Sequence, residues 1–157
     1  MSKVDYRLLG KQLISLSEQV NYDITVLANA SALLFEVLPD LNWAGFYLVR
    51  DGELLLGPFQ GKSACTKIAI GRGVCGTAAK TGNVQRVEDV HAFPGHIACD
   101  CASNSEIVIP IYNGEELYGV LDIDSPLLSR FSVADEDGLV HFVHILEDIL
   151  FNEKIDI

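Results

Sequence analysis

The chain has 157 residues, 49% of them apolar, which suits a single domain over residues 1–157 with a core that needs no staples. Its 22 acidic against 11 basic side chains leave a net charge of −11, which opposes phosphate backbones and anionic membranes and so argues against nucleic-acid or lipid partners. The opening MSKVDYRLLG lacks the apolar run of a signal peptide, and no segment is apolar for long enough to span a bilayer; the reading is a cytoplasmic protein whose thiols are kept reduced.

Residues 3–19 carry apolar side chains at Leu8, Leu9, Leu13, Ile14 and Leu16, a helical spacing. A second helix runs from Ile24 to Val37, with Asp23 as its cap and Pro39 as its stop. Asn42–Arg50 reads as an aromatic-rich strand with Trp43, Gly45 and Tyr47 on one face and Ala44, Phe46 and Leu48 on the other. Asp51-Gly52 then turns the chain into Glu53–Phe59. Short strands at 65–70 and 84–87 bracket a small-residue helix over about Val74–Lys80. Glu106–Tyr112 and Leu117–Ser125 form a hairpin around Asn113-Gly114, and Ser132 with Asp135 caps a last helix that ends near Phe151. This order predicts an α+β domain: an antiparallel sheet with the terminal helices on one face and a pocket on the other.

Chemistry concentrates in HAFPGHIACDCASNSE, residues 91–106, where Pro94-Gly95 and a run of Asp, Ser and Asn favour loop over regular structure. A cysteine in such a polar loop can be solvated as a thiolate. On Leu117–Ser125, alternation puts Leu117, Gly119, Leu121 and Ile123 on a core face, and Tyr118, Val120, Asp122 and Asp124 opposite. If Tyr112 pairs with Glu116 or Tyr118, Glu106 joins the two aspartates on their face. Acids so close repel unless a cation sits among them or one keeps its proton. That predicts a pocket for an ammonium group or for an oxygen in need of a proton, walled by Trp43 and Tyr47.

Gly71-Arg72-Gly73-Val74-Cys75-Gly76 fits the G-x-G-x-x-G dinucleotide pattern, but it lacks the parallel βαβ setting that the pattern requires. The glycines still allow close backbone approach, the free N–H groups of the following helix suit a carboxylate, and Cys75 near its start is expected to have a favoured thiolate. Zinc is disfavoured for the four cysteines, Cys65, Cys75, Cys99 and Cys101, since no C-x-x-C pair occurs and Cys99-Asp100-Cys101 is an awkward bite for one metal. His141 and His144 read as ordinary residues of the last helix.

The stretches CTKIAIGRGVCG, DVHAFPGHIACD, SNSEIVIPI and GVLDIDS resemble the free methionine-(R)-sulfoxide reductases, a branch of the GAF domain superfamily, from about Asn42 to Phe131. The resemblance implies a sheet of about six antiparallel strands, a loop-enclosed small-molecule pocket and, often, a homodimer. It implies reduction of free methionine sulfoxide of R configuration with no metal or organic cofactor, and recycling by thioredoxin. By motif, Cys99 resembles the nucleophile, Cys65 the main resolving thiol and Cys75 a second one. Glu106, Asp122 and Asp124 resemble the substrate-binding and proton-handling carboxyls, with Asp124 or Glu106 as the acid, and Trp43 and Tyr47 the pocket walls. Cys101 stands where the family pattern usually has Ala. The rival reading is a GAF module that binds a small molecule without chemistry; such a module needs no thiols on three separate segments.

Overall fold

The computed structural model describes residues 3–96 and 102–152. Helix α1 spans Tyr6–Ser17 and is capped by Asp5, whose carboxylate accepts the Leu8 N–H at 3.0 Å. Helix α2 covers Asp23–Val37. Asp23 is its first residue and not its cap, as the sequence had suggested. Tyr22 holds the capping position without a side-chain bond, and the Asp23 carboxylate accepts from the Ile24 N–H and the Tyr118 hydroxyl instead.

Strand β1, Trp43–Arg50, turns through Asp51 and Gly52, whose φ angles of 52° and 77° match the left-handed pair of a type I′ hairpin, into β2, Glu53–Gly61. The β2 strand carries Pro58 inside it, beside a shift in register with β1 between Gly45 and Tyr47, where a missing donor costs the ladder least. Then follow β3 (Lys67–Ala69), α3 (Gly73–Thr81, closed by Gly82 at φ 72°), β4 (Gln85–Val87) and a single 3-10 turn at Val90–Ala92. The β5 strand (Ser105–Asn113) and β6 (Glu116–Ser125) make the long hairpin. Helix α4, Val133–Phe151, begins with the expected capping box, Ser132 and Asp135 each bonding the other's backbone N–H. None of the described helices is long and apolar enough to cross a membrane.

The six strands pair antiparallel in the order β3-β2-β1-β6-β5-β4, with β3 and β4, three residues each, at the edges. Helices α1, α2 and α4 cover one face. There Leu9, Leu13, Leu27, Leu34, Phe142 and Leu146 pack on Ala44, Phe46, Leu48, Ile107, Leu121 and Ile123. The opposite face carries a smaller cluster in which Trp43, Tyr47, Val108 and Val120 meet α3 through Val74, Cys75 and Ala78. The predicted faces of β1 are those observed.

On β6 alternation fails at the hairpin end. Tyr112 pairs with Leu117, neither Glu116 nor Tyr118, because the register slips between Ile111 and Tyr112. The extra residue, Tyr118, exchanges faces with Leu117. Tyr118 packs with the helix-side core, edge-on to Phe151 at 4.9 Å, while Leu117 joins the other cluster.

Candidate active site

The site grows from two rows of residues across the sheet. In one, Trp43 of β1 pairs with Asp124 of β6, which pairs with Glu106 of β5; in the other, Gly45 pairs with Asp122, and Asp122 with Val108. Glu106 thus lies across from Asp124, on the expected face, although Tyr112 pairs with neither Glu116 nor Tyr118, because the slip lies beyond Ile111. Gly45 is forced by its surroundings, since a Cβ there would come within 2.2 Å of the Phe59 Cβ. All three carboxyls are sunk into the protein, with Glu106 7%, Asp122 5% and Asp124 9% exposed. Above them α3 places Cys75, whose Sγ stands 4.0 Å from Glu106 Oε2. A cavity of about 520 Å³, including its open mouth, rests on these groups, with Trp43 and Tyr47 on one side and the amino end of α3 on another.

Burial is the main force on the titrating groups. It pushes the Glu106 carboxyl well above the usual range, and the neighbouring charges of Asp122 and Asp124 push it further. Asp122 is also raised by burial, against hydrogen bonds with Glu106, Cys75 and Asp124 that favour its charged form. The cluster therefore keeps protons at a pH where isolated carboxyls have lost them. Asp122 Oδ1 is buried with no hydrogen-bond partner among the described residues, an orphan acceptor that costs about 1–3 kcal/mol.

Cys75 departs from expectation. Its place near the start of α3 suggested a favoured thiolate, yet it is buried, and burial together with Asp122 and Glu106 pushes its thiol well up. Desolvation and three nearby acids outweigh the helix amides. Cys75 is a free thiol, whereas Cys65 is disulfide-bonded. Cys99 and Cys101 lie outside the described residues. Among the described residues, Cys75, Glu106 and Asp122 form a group able to hold a metal ion, their ligand atoms lying within 4.8 Å of one another.

Trp43 and Tyr47 turn to the cavity side and stack with ring centroids 5.8 Å apart; Trp43 also stacks on Phe59 at 5.0 Å. Their polar tips are committed, the Trp43 indole N–H to the Lys62 carbonyl and the Tyr47 hydroxyl to the Cys65 carbonyl.

Arg72, His96 and Ser103 also line the cavity; His96 and Ser103 belong to the stretch 91–106 in which the sequence concentrated its chemistry, but none of the three was given a role in the pocket. Arg72 sits between Gly71 and Gly73, both at positive φ, so the only hint was the glycine-rich loop itself. Ser103 accepts from the Asn42 amide at 3.0 Å, a link over 61 positions that no local pattern signals. His96 is lowered by burial and by His91, so a neutral imidazole faces the cavity. The G-x-G-x-x-G match has a packing role: a Cβ on Gly76 would lie 2.6 Å from the Ala69 carbonyl oxygen, and the sheet around it is antiparallel. His141 and His144 are exposed on α4, away from the site.

The GAF domain family model matches residues 15–149. The free methionine-R-sulfoxide reductase of Escherichia coli is 60% identical over 127 residues, 81% of this chain and 77% of that protein. Protein YtsP of Bacillus subtilis is 57% identical over 148 residues, covering 93% of this chain and 91% of its own. Among solved structures, free methionine-R-sulfoxide reductase from Neisseria meningitidis in complex with its substrate superposes with a TM-score of 0.90 at 42% identity, over 96% of this chain and 93% of that one. The chain belongs to the free methionine-R-sulfoxide reductase branch of the GAF family. Its six-stranded antiparallel sheet, helix-backed on one side and open to a cavity on the other, is the form that membership predicted. The described cavity brings three buried acids and the buried free thiol of Cys75 to face the aromatic walls of Trp43 and Tyr47.

Proposed function

We propose that the chain reduces free L-methionine-(R)-S-oxide to L-methionine by cysteine chemistry, with thioredoxin as the cytoplasmic reductant. The observation that carries this reading is the cavity itself, whose acidic floor, aromatic walls and tether to Cys65 suit a zwitterionic sulfoxide. The naming of a 60% identical relative for this activity supports it, as does the substrate complex of the Neisseria protein.

The substrate ammonium meets Asp122 and Asp124, where the unpartnered Asp122 Oδ1 can accept one of its N–H groups. The carboxylate lies toward Arg72 and the amino end of α3. The sulfoxide end sits against Trp43 and Tyr47. Cys99, as thiolate, attacks the sulfoxide sulfur while Glu106 or Asp124 delivers a proton to the oxygen, which passes to the cysteine; methionine leaves and Cys99 becomes a sulfenic acid. The raised Glu106 carboxyl suits it to hold that proton. The Cys65 thiol then condenses with the sulfenic acid, releasing water and forming a disulfide, and a thioredoxin dithiol reduces that bond by exchange. Cys65 is preferred to Cys75 as resolving thiol because the Cys75 thiol resists ionisation.

A thioredoxin-coupled assay on both epimers of the free amino acid tests the reading. The R epimer is consumed and the S epimer is not; consumption of neither rejects the activity. Cys99→Ser is expected to abolish turnover while Cys65→Ser still releases one methionine per chain, and equal residual turnover in the two would contradict these roles.

A further inference from the structure

We infer that Trp43 and Tyr47 act as positioning residues for Cys65, over and above walling the cavity; this rests on Cys65 being the resolving thiol. Residues 62–66, which link β2 to β3 and carry Cys65, form neither helix nor strand. Among the described residues, three carbonyls of this link accept hydrogen bonds from the sheet. The Trp43 indole N–H donates to the Lys62 carbonyl at 3.1 Å, the Tyr47 hydroxyl to the Cys65 carbonyl at 2.9 Å, and the Leu56 N–H to the Thr66 carbonyl at 2.9 Å. Two of the three thus come from side chains on one face of β1, and one of those two ends on the cysteine itself.

The donors are rigid. Each ring is 2% exposed and each is fixed by stacking, so neither tip can follow the link if it drifts. The phenol also stays a donor, because burial and the nearby acids hold its proton far beyond neutral pH. Ala64, one residue before Cys65, lines the same cavity, so the link is a wall and a thiol carrier at once.

Disulfide closure depends on how often the second sulfur is within reach, and an untethered five-residue link spreads that sulfur over many positions. Cys65 is disulfide-bonded in the structure, so the tethers belong to the closed form, and hydrogen bonds that favour this placement of its main chain favour closure. Each tether is worth about two- to tenfold, the contribution of one neutral hydrogen bond.

Tyr47→Phe keeps the ring and removes only the hydroxyl. On the full chain without sulfoxide, the equilibrium constant of the Cys65 disulfide against glutathione is expected to fall about two- to tenfold. In single turnover, disulfide closure is expected to slow by more than methionine release. An unchanged equilibrium constant, or equal slowing of both steps, overturns the inference. Should Tyr47→Phe not fold, Trp43→Phe, which loses the bond to Lys62, is judged by the same two readouts. A protein that forms and breaks the Cys65 disulfide normally yet consumes no sulfoxide would sink the proposed activity and leave the tether intact.

Discussion

On the helix-bearing face of the sheet, β6 contributes Leu121 and Ile123, both fully buried. One residue along in each case it contributes Asp122 and Asp124 to the other face, sunk almost as deep. The backbone treats the four alike; the surroundings do not. Hydrocarbon at that depth stabilises the fold, whereas a carboxyl there opposes it unless protonated or paired. The helix face can therefore be read as the source of stability, and the cavity face as a site that the helix face supports.

The sharpest way to break this contrast is Glu106→Gln. Loss of the acid is expected to cut turnover by about 10²–10⁴-fold, the range for a general acid, while unfolding at neutral pH shows stability held or raised. A loss of stability comparable to a core truncation would erase the distinction. Leu121→Ala should do the reverse. It should cost about 2–5 kcal/mol by denaturant titration, with turnover per folded molecule retained.

Stability against pH sharpens the comparison. Glu106 and Asp122 bind protons more tightly folded than unfolded. The protonated pair's contribution is fully present below the ordinary carboxylate range. It is lost as pH rises through the raised folded values, because the unfolded chain then binds fewer protons. Denaturation midpoints measured from about pH 5 to 8 should show a decline on this account, and Glu106→Gln should flatten it. The smallest effect belongs to Tyr118→Phe on the helix side. Loss of its bond to Asp23 should cost about 0.5–1.5 kcal/mol in thermal unfolding, without effect on turnover.

The same contrast explains what could be read from sequence. Leu121 to Asp124 alternate strictly, so a period of two was enough to assign both faces, whereas placing Glu106 with the two aspartates also needed a pairing register, which holds as far as Ile111 and slips at Tyr112. Asp51-Gly52 and Ser132 with Asp135 carry their geometry within four residues and formed as expected, whereas the second hairpin turns one residue later than expected, at Gly114-Glu115, with Asn113 still in β5 and paired with Glu116. The bulge at Tyr118 was hidden because an inserted residue changes no local composition. Arg72 joins the cavity through tertiary approach, which no spacing announces, and within the singled-out stretch 91–106 nothing local marked Ser103. Cys75 was misjudged in its acidity because the helix start is local information, while the acids beneath it arrive from other strands.

Each rim of the sheet is a strand of only three residues, β3 at one end and β4 at the other. A foreign extended chain laid along such a rim would find few main-chain groups to pair with before running off it. The folded protein is in this way poorly suited to seed β-type polymerisation strand by strand.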